Sequence, residues 1–239
     1  MGINKTPIIG IPGWRIGENS FGVTIPYLEF FNQYGIVKIL TLTEEVDKSL
    51  DLLVIPGGAD IDPRRYHAIP SFNTSKPDLI KEYFDTSILP LYVKNGTPVF
   101  GICRGLQTIA VLYGAKLVQH IVKHETNDTN DRSSPVHGLI LTHEIFSREF
   151  YRQYNSKNKK EGLKVNSLHH QCMSGSDVPE WINILGVSRG KFNTSSIEVI
   201  QHSSLPIAAV QYHPEEMDEE PVADYLIRKL ISKSKNYKL

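Results

Sequence analysis

Two cysteines in 239 residues are too few for a disulfide framework. Neither sign of charge is in surplus, with 26 Lys and Arg against 26 Asp and Glu. A chain built to grip nucleic acid or an anionic membrane would carry a basic excess, so neither is an expected partner. No apolar run approaches the ~18–20 residues of a membrane span. The start, Met1-Gly2-Ile3-Asn4-Lys5, lacks the charged-then-apolar pattern of a secretory leader, which predicts a cytoplasmic protein. In that compartment N-x-[ST] triplets such as those at Asn73, Asn127 and Asn193 carry no weight. Phosphate cradles are absent too: there is no G-x-x-x-x-G-K-[ST], and no strand runs into G-x-G-x-x-G. What remains is an ordinary globular composition, 40% hydrophobic and 22% charged. We expect one domain over residues 1–239, with no linker or repeat to divide it.

Short β-branched runs alternate with helical patterns through the first half. Ile8–Ile11, Val37–Leu40, Leu52–Ile55 and Thr97–Ile102 read as strands. Tyr27, Leu28, Phe31 and Tyr34 form a helical stripe, and 78–94 is helix-like with Pro90 expected to kink or split it. A further helix follows residue 102 and closes at Gly114. This alternation predicts a mostly parallel sheet covered on both faces. The second half is richer in strands, at 139–142, 164–166, 182–187, 197–201 and 207–211, before a final helix over 221–233. Stretches 123–135 and 152–162 read as loops.

Gly101-Ile102-Cys103-Arg104-Gly105 is the most informative segment. A nucleophile between two glycines, at a strand-to-helix turn, is the nucleophile-elbow arrangement. The helix N-terminus favours the thiolate, and the Arg104 N–H would face a developing oxyanion. Cys172 has no such setting and reads as a buried small apolar residue. A cysteine nucleophile needs a base, and the base an orienting partner. His213 follows the apolar strand 207–211 and precedes Pro214-Glu215, so Glu215 can hold one ring nitrogen while the other faces the sulfur. His169-His170 is the competing candidate. Gly57-Gly58, ending the strand 52–55, can supply a second oxyanion N–H. A metal is not expected: His120-x-x-x-His124 has helical spacing, but no Glu follows His120, and Cys103 has no nearby cysteine.

Three segments, 101–107, 56–63 and 210–216, resemble in order the motifs of class I glutamine amidotransferases. The run Val165-Asn166-Ser167-Leu168-His169-His170-Gln171 most resembles the γ-glutamyl-γ-aminobutyrate hydrolase branch. The resemblance spans about Ile8 to Ile227. It implies a flavodoxin-like three-layer α/β/α sandwich and a Cys103–His213–Glu215 triad. Gly58 and Arg104 would supply oxyanion N–H groups beside Gly57. Gln107 would help bind substrate, and His169, His170 and Gln171 would line the pocket near the leaving group. No metal or organic cofactor is implied. Two readings follow: a free-standing hydrolase of small γ-glutamyl amides, or a glutaminase passing ammonia from L-glutamine to a separate synthetase. A binding protein on an inactive scaffold is the third. The chain departs from the family pattern at 113–120 and in the short stretch 41–51, where an acceptor or leaving group would sit.

Overall fold

Each strand of the first half is followed by a segment that crosses back over one face of a single large sheet. The computed structural model describes residues 5–122, 124, 131–142, 146, 150, 163–176, 178–189 and 195–235. Its elements are β1 (Ile8–Pro12), β2 (Trp14–Gly17), β3 (Ser20–Gly22), α1 (Ile25–Asn32), β4 (Ile36–Leu40), β5 (Leu52–Ile55), α2 (Leu79–Tyr83), α3 (Leu89–Asn95), β6 (Val99–Ile102), α4 (Arg104–Leu112), β7 (Leu117–Val118), β8 (His137–Leu141), β9 (Leu163–Val165), β10 (Cys172–Met173), β11 (Ile182–Arg189), β12 (Ser195–His202), β13 (Ile207–Val210) and α5 (Pro221–Ser232). Nine strands form the main sheet in the order β4-β1-β5-β6-β13-β12-β11-β8-β9. From β4 to β13 every pairing is parallel; from β13 onward every pairing is antiparallel.

Three layers follow from the alternation of side chains along buried strands. Leu52 and Val54 face a cluster that includes Phe31 of α1 and Leu226 and Ile227 of α5. Their neighbours Leu53 and Ile55 face the opposite cluster, with Leu89, Leu106 and Ile109 from α3 and α4. A strand apolar at every position, as β5 is, therefore serves two cores at once. The flavodoxin-like mixed α/β architecture expected from the sequence is the one observed.

The expected break near Pro90 takes a definite form: a wide π-type turn over Phe84–Ile88 separates α2 from α3, and the proline falls in the first turn of α3. The wider turn takes up the place where the proline cannot close the usual backbone bond to the preceding turn. The hairpin β2–β3 and the pair β7–β10 have no counterpart in the sequence reading; both are short. Most of the expected loop 123–135, and all of 152–162, lies outside the described residues. Among the described residues no helix is long and apolar enough to cross a membrane.

Candidate active site

Cys103 sits between the last residue of β6 and the first of α4, at φ 53° and ψ −105°. A side chain at positive φ is strained, and here the neighbours enforce it. The Cys103 N–H donates to the Val210 carbonyl at 2.8 Å, tying the turn to β13. A Cβ on Gly105 would stand 2.1 Å from the Ile55 carbonyl oxygen. The elbow helix thus packs backbone-to-backbone on β5, which only glycine permits.

His213 lies just beyond β13, the strand beside β6, so both side chains emerge at the same sheet edge. Its Nδ1 is 2.6 Å from Glu215 Oε1. Burial alone would lower the imidazole pKa. The charge of Glu215, then the charge and hydrogen bond of Cys103, outweigh it and carry it to about 10. The ring is therefore held between a carboxylate and a sulfur. Asn166 fixes its backbone: the His213 N–H donates to Asn166 Oδ1 at 2.8 Å, and Asn166 Nδ2 donates to the His213 carbonyl at 2.9 Å.

The Gly57-Gly58 turn approaches from β5. A Cβ on Gly57 would lie 2.7 Å from His213 Cε1, so this turn abuts the imidazole. The Gly57 N–H is already given to the Tyr27 hydroxyl at 2.8 Å. Burial, then the neighbouring Glu215 carboxylate, push that phenol well above its ordinary pKa. Lys81 Nζ donates to the Gly57 carbonyl at 2.7 Å. The Gly57–Gly58 peptide is trans, so anchoring its carbonyl aims the Gly58 N–H the opposite way. Among the described residues neither the Gly58 nor the Arg104 N–H has an acceptor. Lys81 itself is buried, 4.0 Å over the Trp14 ring. Burial, then the Arg104 charge, bring its pKa down to about 7.

The other expected residues divide. The Arg104 guanidinium is 1% exposed and committed to Asp85 at 2.5 Å and Glu82 at 2.6 Å, leaving its backbone as the group facing the site. Gln107 Nε2 donates to the Gln171 carbonyl at 3.2 Å and lies 3.4 Å from Gln211 Oε1, joining α4 to the 165–171 run. His170 is half-buried against Asp60, with Nε2 3.2 Å from Oδ1. Burial opposes ionisation of Asp60, but the hydrogen bond from His170 and those from Ser75 hold its carboxyl below the usual range. His169 points elsewhere: its Nδ1 meets the Gln171 carbonyl at 2.9 Å, and its Nε2 faces Glu198 at 3.9 Å. Burial lowers its pKa to about 4, which leaves a neutral ring. Cys172 is buried, and burial followed by the Glu198 charge pushes its thiol up to about 12.

Tyr27, Lys81 and Asn166 are the residues the sequence reading did not single out for a role. Tyr27 stands in an apolar helical stripe and Lys81 on an amphipathic helix, where neither type signals a site. Asn166 belongs to the quoted 165–171 run, the one signal that could have found it. As a whole the arrangement can attack an electrophilic carbon with sulfur and move a proton through one imidazole.

A family model described as Peptidase C26 matches residues 35–215. The glutamine amidotransferase-like protein YvdE of Lactococcus lactis subsp. lactis is 27% identical over 195 residues, 79% of this chain and 78% of its own length. The carbamoyl phosphate synthase small chain of Caldanaerobacter subterraneus subsp. tengcongensis is 24% identical over 82% of this chain and 47% of its own. Among solved structures, a glutamine amidotransferase from Thermotoga maritima superposes with a TM-score of 0.58 at 14% identity, covering 96% of this chain and 98% of that one.

Proposed function

From the chain's membership of the Peptidase C26 family, within the class I glutamine amidotransferase superfamily, we propose that it is a cysteine-dependent hydrolase of small γ-glutamyl amides. The observation that carries this reading is the His213 ring held between Glu215 and a sulfur on a strained turn. Cys103 is the nucleophile, His213 the general base and then acid, and Glu215 its orienter. The Cys103 thiolate attacks the γ-glutamyl amide carbon, and the tetrahedral oxyanion takes the N–H groups of Gly58 and Arg104. His213 protonates the departing amine, so the C–N bond breaks and a γ-glutamyl thioester remains. Water, deprotonated by His213, attacks the thioester; glutamate leaves and Cys103 is restored. Lys81 orients the Gly57–Gly58 peptide, Tyr27 holds its other side, and Asn166 positions His213. Gln107 helps bind the substrate, and His170 and Gln171 line the pocket near the leaving group.

A second reading is supported by the likeness to the carbamoyl phosphate synthase small chain: a glutaminase that passes ammonia to a synthetase on another chain. A two-product assay separates them. The purified chain is offered L-glutamine, γ-glutamyl-aminobutyrate and γ-glutamyl-putrescine, glutamate and amine are quantified, and Cys103→Ala is the control. Robust release from a substituted amide, absent in Cys103→Ala, is the expected result. Slow turnover of glutamine alone turns the assignment to the second reading. Full activity in Cys103→Ala overturns both.

A further inference from the structure

Behind the His213 loop, four buried side chains from separate segments converge: His124, His137 at the start of β8, His169, and Glu198 in β12. None is more than 9% exposed, and Glu198 is fully buried. One ligand atom from each lies within 4.8 Å of all the others. The Nε2 atoms of His124, His137 and His169 stand 3.7, 3.7 and 3.9 Å from Glu198 Oε1. These separations are too long for hydrogen bonds. A tetrahedral zinc-type ion with bonds of about 2.0–2.1 Å sets its ligands roughly 3.4 Å apart, so the His–Glu198 distances would close by a few tenths of an ångström and the widest pair by up to about 1.4 Å.

The proton positions sharpen the point. Among the described residues the partner of His169 Nδ1 is the Gln171 carbonyl, an acceptor, so in the neutral ring Nδ1 carries the proton and Nε2 a lone pair. That lone pair is aimed at a carboxylate and, among the described residues, has no partner, nor has His137 Nε2 or Glu198 Oε2. Buried polar atoms are rarely left this way, and a lone pair turned toward an anion calls for a cation between them; His124 Nε2 rests 3.3 Å from Ser196 Oγ, a contact a bound ion would replace. An imidazole that gives its other N–H to a backbone carbonyl is also the usual state of a metal-bound histidine. Ser188 and Ser196 hydroxyls donate to Glu198 Oε1 and fix the carboxylate.

We propose that His124, His137, His169 and Glu198 form a closed, four-ligand site for a divalent transition metal of the zinc type. Three imidazoles and one carboxylate suit zinc better than magnesium or calcium, which favour all-oxygen shells. Four protein ligands leave no open position, so the ion is structural, and the site is independent of the reaction proposed above. It ties β8 and β12 to the segment carrying Asn166, the clamp on His213.

The test uses the full chain, stripped with a chelator and titrated with Co(II) and then Zn(II) under reducing conditions. One equivalent of Co(II) is expected to give the visible d–d bands of a tetrahedral ion without a thiolate charge-transfer band. Zn(II) should displace it and raise the Tm. His137→Gln and Glu198→Gln should each lose the spectrum. His120→Gln, which alters the separate His120–His170 pair, should keep it. Where a variant does not fold, the wild-type stoichiometry and spectrum decide. The proposal is overturned by a folded wild-type chain that binds neither ion, by a thiolate band, or by a spectrum lost in His120→Gln but kept in a folded His137→Gln.

Discussion

Lys81→Met separates a role in orienting the oxyanion peptide from a role in holding the fold. Methionine keeps the length of the lysine stem but can neither donate to the Gly57 carbonyl nor place an ammonium over the Trp14 ring. Without that anchor the Gly57–Gly58 peptide is free to turn, and the Gly58 N–H is lost from the site. One oxyanion donor is worth about 3–4 kcal/mol, so kcat should fall roughly a hundred- to a thousand-fold, with KM little changed. Stability should respond differently. Bringing a lysine from 10.5 to about 7 means that carrying its charge in the fold at neutral pH costs on the order of 5 kcal/mol. The substitution removes that cost and gives up one buried hydrogen bond, worth about 1–3 kcal/mol. The variant should therefore be as stable as the wild type or more so in urea at neutral pH. Between about 7 and 10.5 the unfolded chain holds the lysine proton and the folded chain does not. Wild-type stability should accordingly gain from that group as pH rises, and Lys81→Met should lack this gain. A variant with wild-type kcat would refute the orienting role; one that loses activity only in step with stability would reduce Lys81 to a structural residue.

Glu215→Gln should lower the alkaline limb of the pH–rate profile, because the carboxylate charge is the largest contribution lifting His213 to about 10. The same raised pKa stabilises the fold fully below 6.5, and that contribution is lost as pH rises through about 10, so urea melts of the variant should show a shallower alkaline decline. A limb that does not move would detach Glu215 from the imidazole. Gly105→Ala places a Cβ 2.1 Å from the Ile55 carbonyl, backbone that cannot step aside, and should cost about 3 kcal/mol, read as a lower urea midpoint. An unchanged midpoint would show that α4 does not sit as tightly on β5 as described.

The parallel strands and the elbow were legible because their signals are local. A run such as Leu52–Ile55 shows its burial in four consecutive residues, and Cys103 shows its turn in the glycines beside it. The supporting contacts were not legible, since they join residues far apart in the chain: Gly57 to Tyr27 and Lys81, His213 to Asn166. His169 and His170 show the limit most clearly. Adjacent in sequence, they suggest one pocket wall, yet one turns to Glu198 and the other to Asp60. Neighbouring side chains of non-helical backbone commonly leave on opposite sides, and the sequence does not say which side faces the substrate.

The seam of the sheet at β13 has a consequence for how the molecule is assembled. This strand pairs in parallel with β6 on one side and antiparallel with β12 on the other, so it is a keystone synthesised after both of its neighbours. Until residues 207–210 emerge, β6 and β12 each present an unpaired edge, and no sulfur–imidazole pair can exist. A fragment ending before Ile207 should be inert and prone to edge-to-edge association. The pairing of sulfur with imidazole thus arrives in the same step that closes the two vulnerable edges.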